Sequence, residues 1–392
     1  MALSAKGENL TMGKESRLVK VGVIGCGNVA ENRHLPALQS LRDVTVVAVA
    51  DIDPDRLKRL TTKFHIKKSY MDFQGLLNDP EVDAVAVCVP THSHEEVALA
   101  ALDAGKHLFL EKPLALSLDE CDRLIERANN SPLKTMVGFN LRWHRLIRRA
   151  RGLIQGEILG RLKLVHSIVT NRSYGNEPEW LKHRELGGGV LIEHAVHTFD
   201  LWRFLFQSDI EKIFALSWSG EWEDETATVT AQLANGMLAT AVLSKGTAEN
   251  NEMEIYGQKG CLHISRYRFD GLKYFSPSSI PGGLRARLYS LTHTLKELPK
   301  ATLTIRQGGD FVASYQAEWY HFINAIQKNI PLVSTLEDGR RAQQVVLAAV
   351  ASASLGYPIE VKKAPREITK TVSLDPIKTK LARDLDAFPE RG

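Results

Sequence analysis

The chain has 392 residues, 44% of them apolar and 24% charged, a composition that excludes a mainly disordered protein and, at roughly 150 residues per domain, predicts two or three domains. A formal net charge of +4 is too small a surplus to imply a nucleic-acid partner, and no apolar run approaches the about 20 residues of a membrane span. The N-terminal stretch MALSAKGENLTMGKESR lacks the apolar segment of a secretory signal, and Cys26, Cys88, Cys121 and Cys261 lie far apart without a C-x-x-C pair, so a cytoplasmic protein without structural zinc or disulfides is expected.

Behind a polar tail over 1–16, Leu18 to Ile24 reads as an apolar strand, and the segment Gly25-Cys-Gly27-Asn28-Val29-Ala30 opens a helix predicted over Asn28 to Ser40. Val44 to Ala50 is a second strand, and Asp53-Pro54 opens the next helix with proline in its favoured first turn. Asp83 to Val89 is a third strand; Glu95 to Ala104 is a helix closed by Gly105, and Lys106 to Leu110 begins a further strand. Strands apolar throughout, separated by helices, indicate a parallel sheet covered on both faces.

The texture changes near residue 140. Arg161 to Asn171, Ile210 to Glu221, Ala227 to Leu233 and Met237 to Lys245 alternate more, and Asn235-Gly236 predicts a type I′ hairpin. Leu284, Leu288, Leu291, Leu295 and Leu298 follow a 4-3-4-3 spacing. That pattern predicts a helix packed on its own domain or on a neighbouring subunit, with a membrane-surface helix as the alternative. The expected division is an α/β domain over 17–139, an α+β domain over 140–365 with an open, mainly antiparallel sheet, and a tail over 366–392.

Gly25-x-Gly27-x-x-Ala30 after a strand and before a helix is the arrangement of a dinucleotide-binding Rossmann fold. The first glycine permits a tight turn, the second admits a pyrophosphate to the backbone, and the small third residue allows helix–strand packing. The helix start at Asn28 and Val29 supplies unpaired N–H groups and positive dipole. Asp51, at the end of the next strand, suits the ribose hydroxyls and would repel a 2′-phosphate, which favours NAD over NADP.

Further on, Glu193 and His197 are four apart and would share a helix face, where the carboxylate can hold the imidazole tautomer or reach a substrate hydroxyl. His194 adds a second imidazole, but Glu-His-x-x-His is not a zinc-protease arrangement and no metal is expected. His94 falls at the C-terminal edge of the first sheet, where a nicotinamide or ribose contact and a plain helix start are both open readings. Asn140 and Arg142 follow the strand leaving the first domain, and Trp180, with Tyr174 and Arg172, precedes a glycine-rich run; each is open to a substrate or a packing role.

The run Pro90-Thr91-His92-Ser93-His94, then Ala101 to His107, then Glu111-Lys112-Pro113-Leu114-Ala115 resembles the signature of the Gfo/Idh/MocA oxidoreductase family. The likeness continues through Val137-Gly138-Phe139-Asn140, Gly156 to Gly160, Gly187-Gly188-Gly189-x-x-x-Glu193-x-x-x-His197-x-x-Asp200 and Glu337-Asp338-Gly339. It implies a Rossmann domain and a sheet-bearing second domain through which subunits form homodimers or homotetramers. It also implies activity on a sugar, a polyol or a related compound, with Pro90, Thr91, His94, Glu111 and Lys112 around the cofactor. By the same resemblance Lys112, before an often cis proline, and His197 are the catalytic pair. Removing a hydroxyl proton near neutral pH suits an imidazole, and a lysine can polarise the forming carbonyl oxygen. His197 is therefore read as base and Lys112 as the polarising group, though their exchange stays open. The family usually carries Asp where this chain has Glu193 and Gly where it has Ala195, so the pocket is expected to differ. An oxidation–elimination glycosidase and a non-catalytic dinucleotide-binding regulator are the alternatives.

Overall fold

The computed structural model describes residues 17–173, 175, 177–279, 283–306 and 309–368, with backbone alone for 300–306. The expected tail over 1–16, Tyr174 and all but the start of the expected C-terminal tail lie outside the described residues. The first sheet contains β1 (Val19–Ile24), β2 (Val44–Ala50), β3 (Lys68–Tyr70), β4 (Ala84–Val87), β5 (His107–Leu110) and β6 (Thr135–Val137). Their order is β3-β2-β1-β4-β5-β6, with every pair parallel. The strand order reverses between β1 and β4, and a sheet so wound opens a crevice at the carboxyl ends of those two strands. All four residues of β4 are buried, as expected where helices cover both faces.

Local sequence starts the helices where predicted. Asp53 caps helix Pro54–Phe64 by accepting from the amides of Asp55 and Arg56, and Leu57, Leu60 and Phe64 form its buried stripe. The helix after the glycine segment runs to Gln39, with one wide π turn over Ala30–His34. The extra residue in that turn accompanies a fully buried His34 side chain.

The second sheet contains β7 (Leu162–Asn171), β8 (Ile210–Trp218), β9 (Thr226–Leu233), β10 (Leu238–Lys245), β11 (Asn250–Gly257), β12 (Gly260–Ser265), β13 (Leu272–Phe275) and β14 (Ile359–Glu360). The order is β13-β12-β11-β7-β10-β9-β8-β14, antiparallel except for the parallel β7–β10 pair. Alternation along β9 buries Ala227, Val229, Ala231 and Leu233. Helices Ala195–Phe206 and Leu336–Leu355 pack on this half, the former anchored by Trp202 Nε1 donating to Ser167 Oγ of β7 at 3.1 Å. The opposite face leaves Leu216, Trp218, Leu238 and Tyr256 exposed.

Two local expectations need correction. The β9–β10 hairpin is present, but its turn is not type I′, which requires positive φ at both central residues. Only Gly236 has positive φ, at 80°. Gly236 N donates to Leu233 O at 2.9 Å, and Met237 pairs with Leu233 across the loop. A three-residue loop with glycine at its left-handed end fits better, and Asn235 Oδ1 accepts from Met237 N. The leucine-spaced segment does form a helix, Leu284–Arg306, but it does not pack its leucines on the domain. Leu284, Leu288, Leu291, Leu295 and Leu298 are 44–74% exposed. The polar residues face inward instead: Thr294 donates to Asp270, and Glu297 pairs with Arg149. Among the described residues no helix is long and apolar enough to cross a membrane.

The two halves are joined by buried polar contacts. Helix Asp310–Lys328 returns to the first sheet, where Trp319 stacks on Phe109 at 4.4 Å between ring centroids and its Nε1 donates to His34 Nδ1 at 3.0 Å. Arg142, just beyond β6, donates to Asp200 Oδ1 and Oδ2 at 2.5 and 2.9 Å, to Asp338 at 3.0 Å and to Val333 O at 2.6 Å. Burial opposes the Arg142 charge, but the carboxylates of Asp200 and Asp338 outweigh it and raise its pKa above the ordinary arginine value. Removing one carboxylate leaves that charge sealed and under-paired. Asp200→Ala is expected to lower unfolding free energy by about 3 kcal/mol in urea titrations; a loss below about 1 kcal/mol would show that the junction does not depend on the pair.

Candidate active site

The first part of the site is the crevice above β1 and β4. Gly25 has φ +92°, and a Cβ there would stand 2.6 Å from Cys88 O, so both backbone conformation and strand approach require glycine. At Gly27 an added Cβ would meet no protein atom within 4 Å, which leaves the backbone open on the side where a phosphate would approach. Ala30 is fully buried under the helix. Glu31 N bonds Gly27 O at 3.0 Å, and the preceding N–H groups of this helix start, at Asn28, Val29 and Ala30, are those a helix cannot pair internally. Asn28 Oδ1 accepts from the Asn32 amide, which ties the first turn to the second. Asp51 accepts from Cys26 N at 2.6 Å and from Asp53 N at 2.9 Å, one bond per oxygen. Each oxygen retains acceptor capacity, so the loop fits a dinucleotide with two ribose hydroxyls at Asp51.

The segments after β4 and β5 form the floor. Thr91 is buried beneath the glycine-rich run, where a Cβ on Gly187 would come within 2.8 Å of Thr91 Oγ1. Pro90 precedes it and is half-buried. His94 is corrected from a cofactor contact to a brace. Its ring is 1% exposed, Nδ1 lies 2.7 Å from Pro113 O, and Nε2 lies 3.0 Å from Val89 O. Burial lowers its pKa despite those carbonyls. Glu111 is corrected in the same sense. Its Oε1 takes the His34 Nε2 hydrogen bond at 2.8 Å and its Oε2 accepts from Lys112 N at 3.0 Å. The indole can only donate to His34 Nδ1, which fixes the neutral tautomer with its proton on Nε2. Burial alone would raise the Glu111 pKa, but the His34 hydrogen bond and the Lys112 charge outweigh it and lower it. The Lys112–Pro113 peptide is cis.

The glycine-rich run then places its polar residues over Lys112. Lys112 Nζ lies 3.2 Å from Glu193 O and 3.4 Å from Glu193 Oε1. Glu193 Oε2 lies 2.6 Å from His194 Nε2 and 3.4 Å from Lys245 Nζ, yet among the described residues it has no aligned hydrogen bond. Burial would raise the Glu193 pKa; the charges of His194, Lys245 and Lys112 overcome this and hold it well below the usual carboxylate range. His197 stands beside Phe139, and its buried Nδ1 has no hydrogen-bond partner among the described residues. Burial and the neighbouring Lys112 charge push the His197 pKa well below 6.5, against the opposing pull of Glu193. The expected continuous helix is interrupted at His194: Val190–Glu193 forms one turn and Ala195–Phe206 follows. Both Glu193 and His197 nevertheless remain within electrostatic reach of Lys112.

Three residues expected near substrate are placed elsewhere or less directly. Asn140 is 3% exposed and donates to Ser314 Oγ at 3.3 Å, and Arg142 is spent on the junction carboxylates. Both are structural because helix Asp310–Lys328 and the Asp200 helix close over them. Trp180 is half-buried on the short turn Glu179–Lys182, whose backbone seats Gly188. Lys245, with Nζ 4.4 Å from the Trp222 ring, and Asn171, 3.2 Å from His194 Nε2, join the cluster unforeseen. A signal for Lys245 did exist: it shares the inward parity of Ala239, Ala241 and Leu243 on β10. Among the described residues no three His, Cys, Asp or Glu side chains converge as a metal site.

Comparison with known proteins matches residues 19–139 to "Oxidoreductase family, NAD-binding Rossmann fold" and residues 147–263 to "GFO/IDH/MocA C-terminal domain". Myo-inositol 2-dehydrogenase of Thermotoga maritima is 29% identical over 64% of this chain and 76% of its own. The uncharacterized oxidoreductase YrbE of Bacillus subtilis is 24% identical over 88% of this chain and 98% of its own. In fold, the chain is similar to scyllo-inositol dehydrogenase from Lactobacillus casei with bound NAD(H) and scyllo-inositol, with TM-score 0.70 and 22% identity over 88% of this chain and 100% of that one.

The two loop glycines give separable expectations. Gly27→Ala should leave apo stability within about 0.5 kcal/mol while weakening NAD binding at least about tenfold by calorimetry, because only a ligand meets the new methyl. Gly25→Ala should destabilise the apo protein by about 1–3 kcal/mol. Equal NAD affinity for wild type and Gly27→Ala would contradict the placement of the pyrophosphate.

Proposed function

Because the chain belongs to the GFO/IDH/MocA oxidoreductase family, we propose that it is an NAD-dependent dehydrogenase or reductase acting on a secondary alcohol or ketone of a sugar, polyol or sugar derivative. The observation that carries this reading is the meeting of Lys112, Glu193 and His197 beside the dinucleotide crevice. NAD, when bound, supplies the acceptor or donor of hydride at its nicotinamide ring.

The chain's own groups handle the hydroxyl. Lys112 Nζ has three N–H donors, of which two are directed at Glu193. The third is available to a substrate oxygen, where it favours negative charge as a carbonyl forms or is lost. A neutral imidazole has one nitrogen able to accept the hydroxyl proton, and the depressed pKa of His197 keeps the ring neutral at pH 7. The low pKa weakens His197 as a resting base, but positive charge on the ring is then short-lived and the proton can pass on to water. Glu193 holds Lys112 in place through both backbone and side chain, so in this reading it orients rather than titrates.

The exposed outer face of the second sheet, with Leu216, Trp218, Leu238 and Tyr256, supports a homodimer or homotetramer as part of the same proposal. All four cysteines are free, which supports a reducing, cytoplasmic setting.

Lys112→Ala and His197→Ala should each lose at least about a hundredfold in turnover on a polyol and sugar panel followed by NADH absorbance, with NAD affinity preserved. Near-normal rates in both variants would sink the assignment. A product analysis that finds bond cleavage and unchanged NAD would favour oxidation–elimination. NAD binding without turnover of any substrate would favour a regulator. For cofactor choice, Asp51→Ala should raise NADP relative to NAD in kcat/KM by about tenfold or more, since it removes the repulsive carboxylate. A wild-type enzyme preferring NADP would contradict the reading of Asp51.

A further inference from the structure

The inward face of the second sheet ends in a polar rank that the proposed reaction does not use in full. Leu262 and Ile264 of β12 are fully buried on that face. Arg266 continues their parity, and its amide still bonds Asn251 O at 3.0 Å. Asn251 shares the inward parity of Met253 and Ile255 on β11 and opposes Val169 of β7; Asn171, the next inward residue of β7, opposes Lys245 of β10. Lys245, Asn171, Asn251 and Arg266 thus lie across one end of the sheet. Lys245 and Asn171 there touch Glu193 and His194, and Arg266 lies within electrostatic reach of His197.

Among the described residues, Arg266 is the exception among the buried guanidinium groups. Arg142 is gripped by Asp200 and Asp338, and Arg184 donates to Asp224 at 2.8 and 2.6 Å. Arg266 is only 4% exposed, and its Nε and Nη1 have no hydrogen-bond partner among the described residues; Asn251 Oδ1 beside it has none either. Among the described residues no carboxylate supports its charge. Burial pushes its pKa down to about 10, with only the Tyr267 phenol acting in the other direction. The imidazoles near it, His144 and His197, both have lowered pKa values and bring no negative charge. A sealed cation without a counter-ion is unfavourable, and a neutral hydroxyl would satisfy its N–H groups without compensating the charge. A carboxylate or phosphate would do both, through the paired geometry a guanidinium presents.

We infer that Arg266 binds an anionic group of the substrate, so that the compound oxidised or reduced at His197 and Lys112 is an acidic sugar derivative rather than a neutral polyol. This inference rests on the proposed dehydrogenase reading and narrows its substrate class. The anion would sit at the β11–β12 end of the polar rank, with the reacting carbon toward Lys112.

The test is calorimetry on the NAD-loaded full-length protein with glucose, glucuronate and glucose 6-phosphate as probes, alongside turnover of each. At least one anion should bind about tenfold or more tighter than glucose, and the better of the two identifies a carboxylate or a phosphate site. R266Q should abolish that preference and R266K should restore part of it, while all three proteins bind NAD alike, which excludes misfolding as the cause. If neither anion outbinds glucose, or if R266Q keeps the preference, the inference is overturned. Turnover of neutral polyols without any anion preference would retain the dehydrogenase reading and remove this one. Arg266-dependent anion binding with no turnover of any sugar or polyol would keep the anion site but count against the dehydrogenase reading, and with it the assignment of that anion to a substrate.

Discussion

A guanidinium sealed from water is costly without a counter-charge, and Arg142 finds two inside the protein. Its carboxylate partners lie on the helix that carries His197 and on the long helix Leu336–Leu355, while Arg142 itself sits where the chain leaves the first sheet. Asp200 is three residues beyond His197, so the pair holds the imidazole-bearing helix against the cofactor half. A second buried chain, Trp319 to His34 to Glu111 to the Lys112 amide, does the same for the lysine. The two groups that must meet are thus held by largely buried contacts that tie their supporting segments to the rest of the fold. Partial disruption of such networks is costly because the remaining partners stay buried.

The charge arrangement above those anchors explains how the candidate groups can coexist. Glu193 stands between Lys112 and Lys245 and has His194 against it. Shortening Glu193 by a methylene would draw its carboxylate back from these cations, whereas its present length brings it within 3.4 Å of both lysines at once. Burial, and then the Lys112 charge, disfavour a proton on His197, so the imidazole and the lysine divide their work: one accepts a proton, and the other keeps its N–H groups on oxygen. Arg266 adds a further cation within electrostatic reach of the imidazole, and among the described residues no carboxylate offsets it.

Much of this was legible in the residues. Uninterrupted apolar runs such as Val44 to Ala50 marked buried parallel strands, and Gly25, Gly27 and Ala30 marked the crevice because only particular backbone conformations admit a phosphate. Other features were not legible, for stated reasons. His94, Glu111, Asn140 and Arg142 lie within or next to the motifs, and a polar side chain beside a site looks the same in sequence whether it faces a ligand or a carbonyl. His34 and Trp319 are far apart in the chain, so their hydrogen bond leaves no local pattern. Asn235-Gly236 announced a hairpin correctly, but the turn type depends on the loop length that strand pairing selects. The leucine spacing at 284–298 revealed a helix without revealing its orientation, which inward ion pairs decide. Lys245 and Arg266 needed only strand parity, once the inward face of each strand was known.

The most direct test of the account is the protonation state of His197 in the NAD-bound protein. Histidine-selective 13C labelling, with the His197 resonance assigned by its loss in H197Q, gives the titration midpoint by NMR. The account predicts a ring that stays neutral from pH 8 down to well below its ordinary value of 6.5, as burial and the Lys112 charge require. A midpoint at or above 6.5 would mean that His197 is not enclosed beside the lysine, and the proposed active site would be wrong.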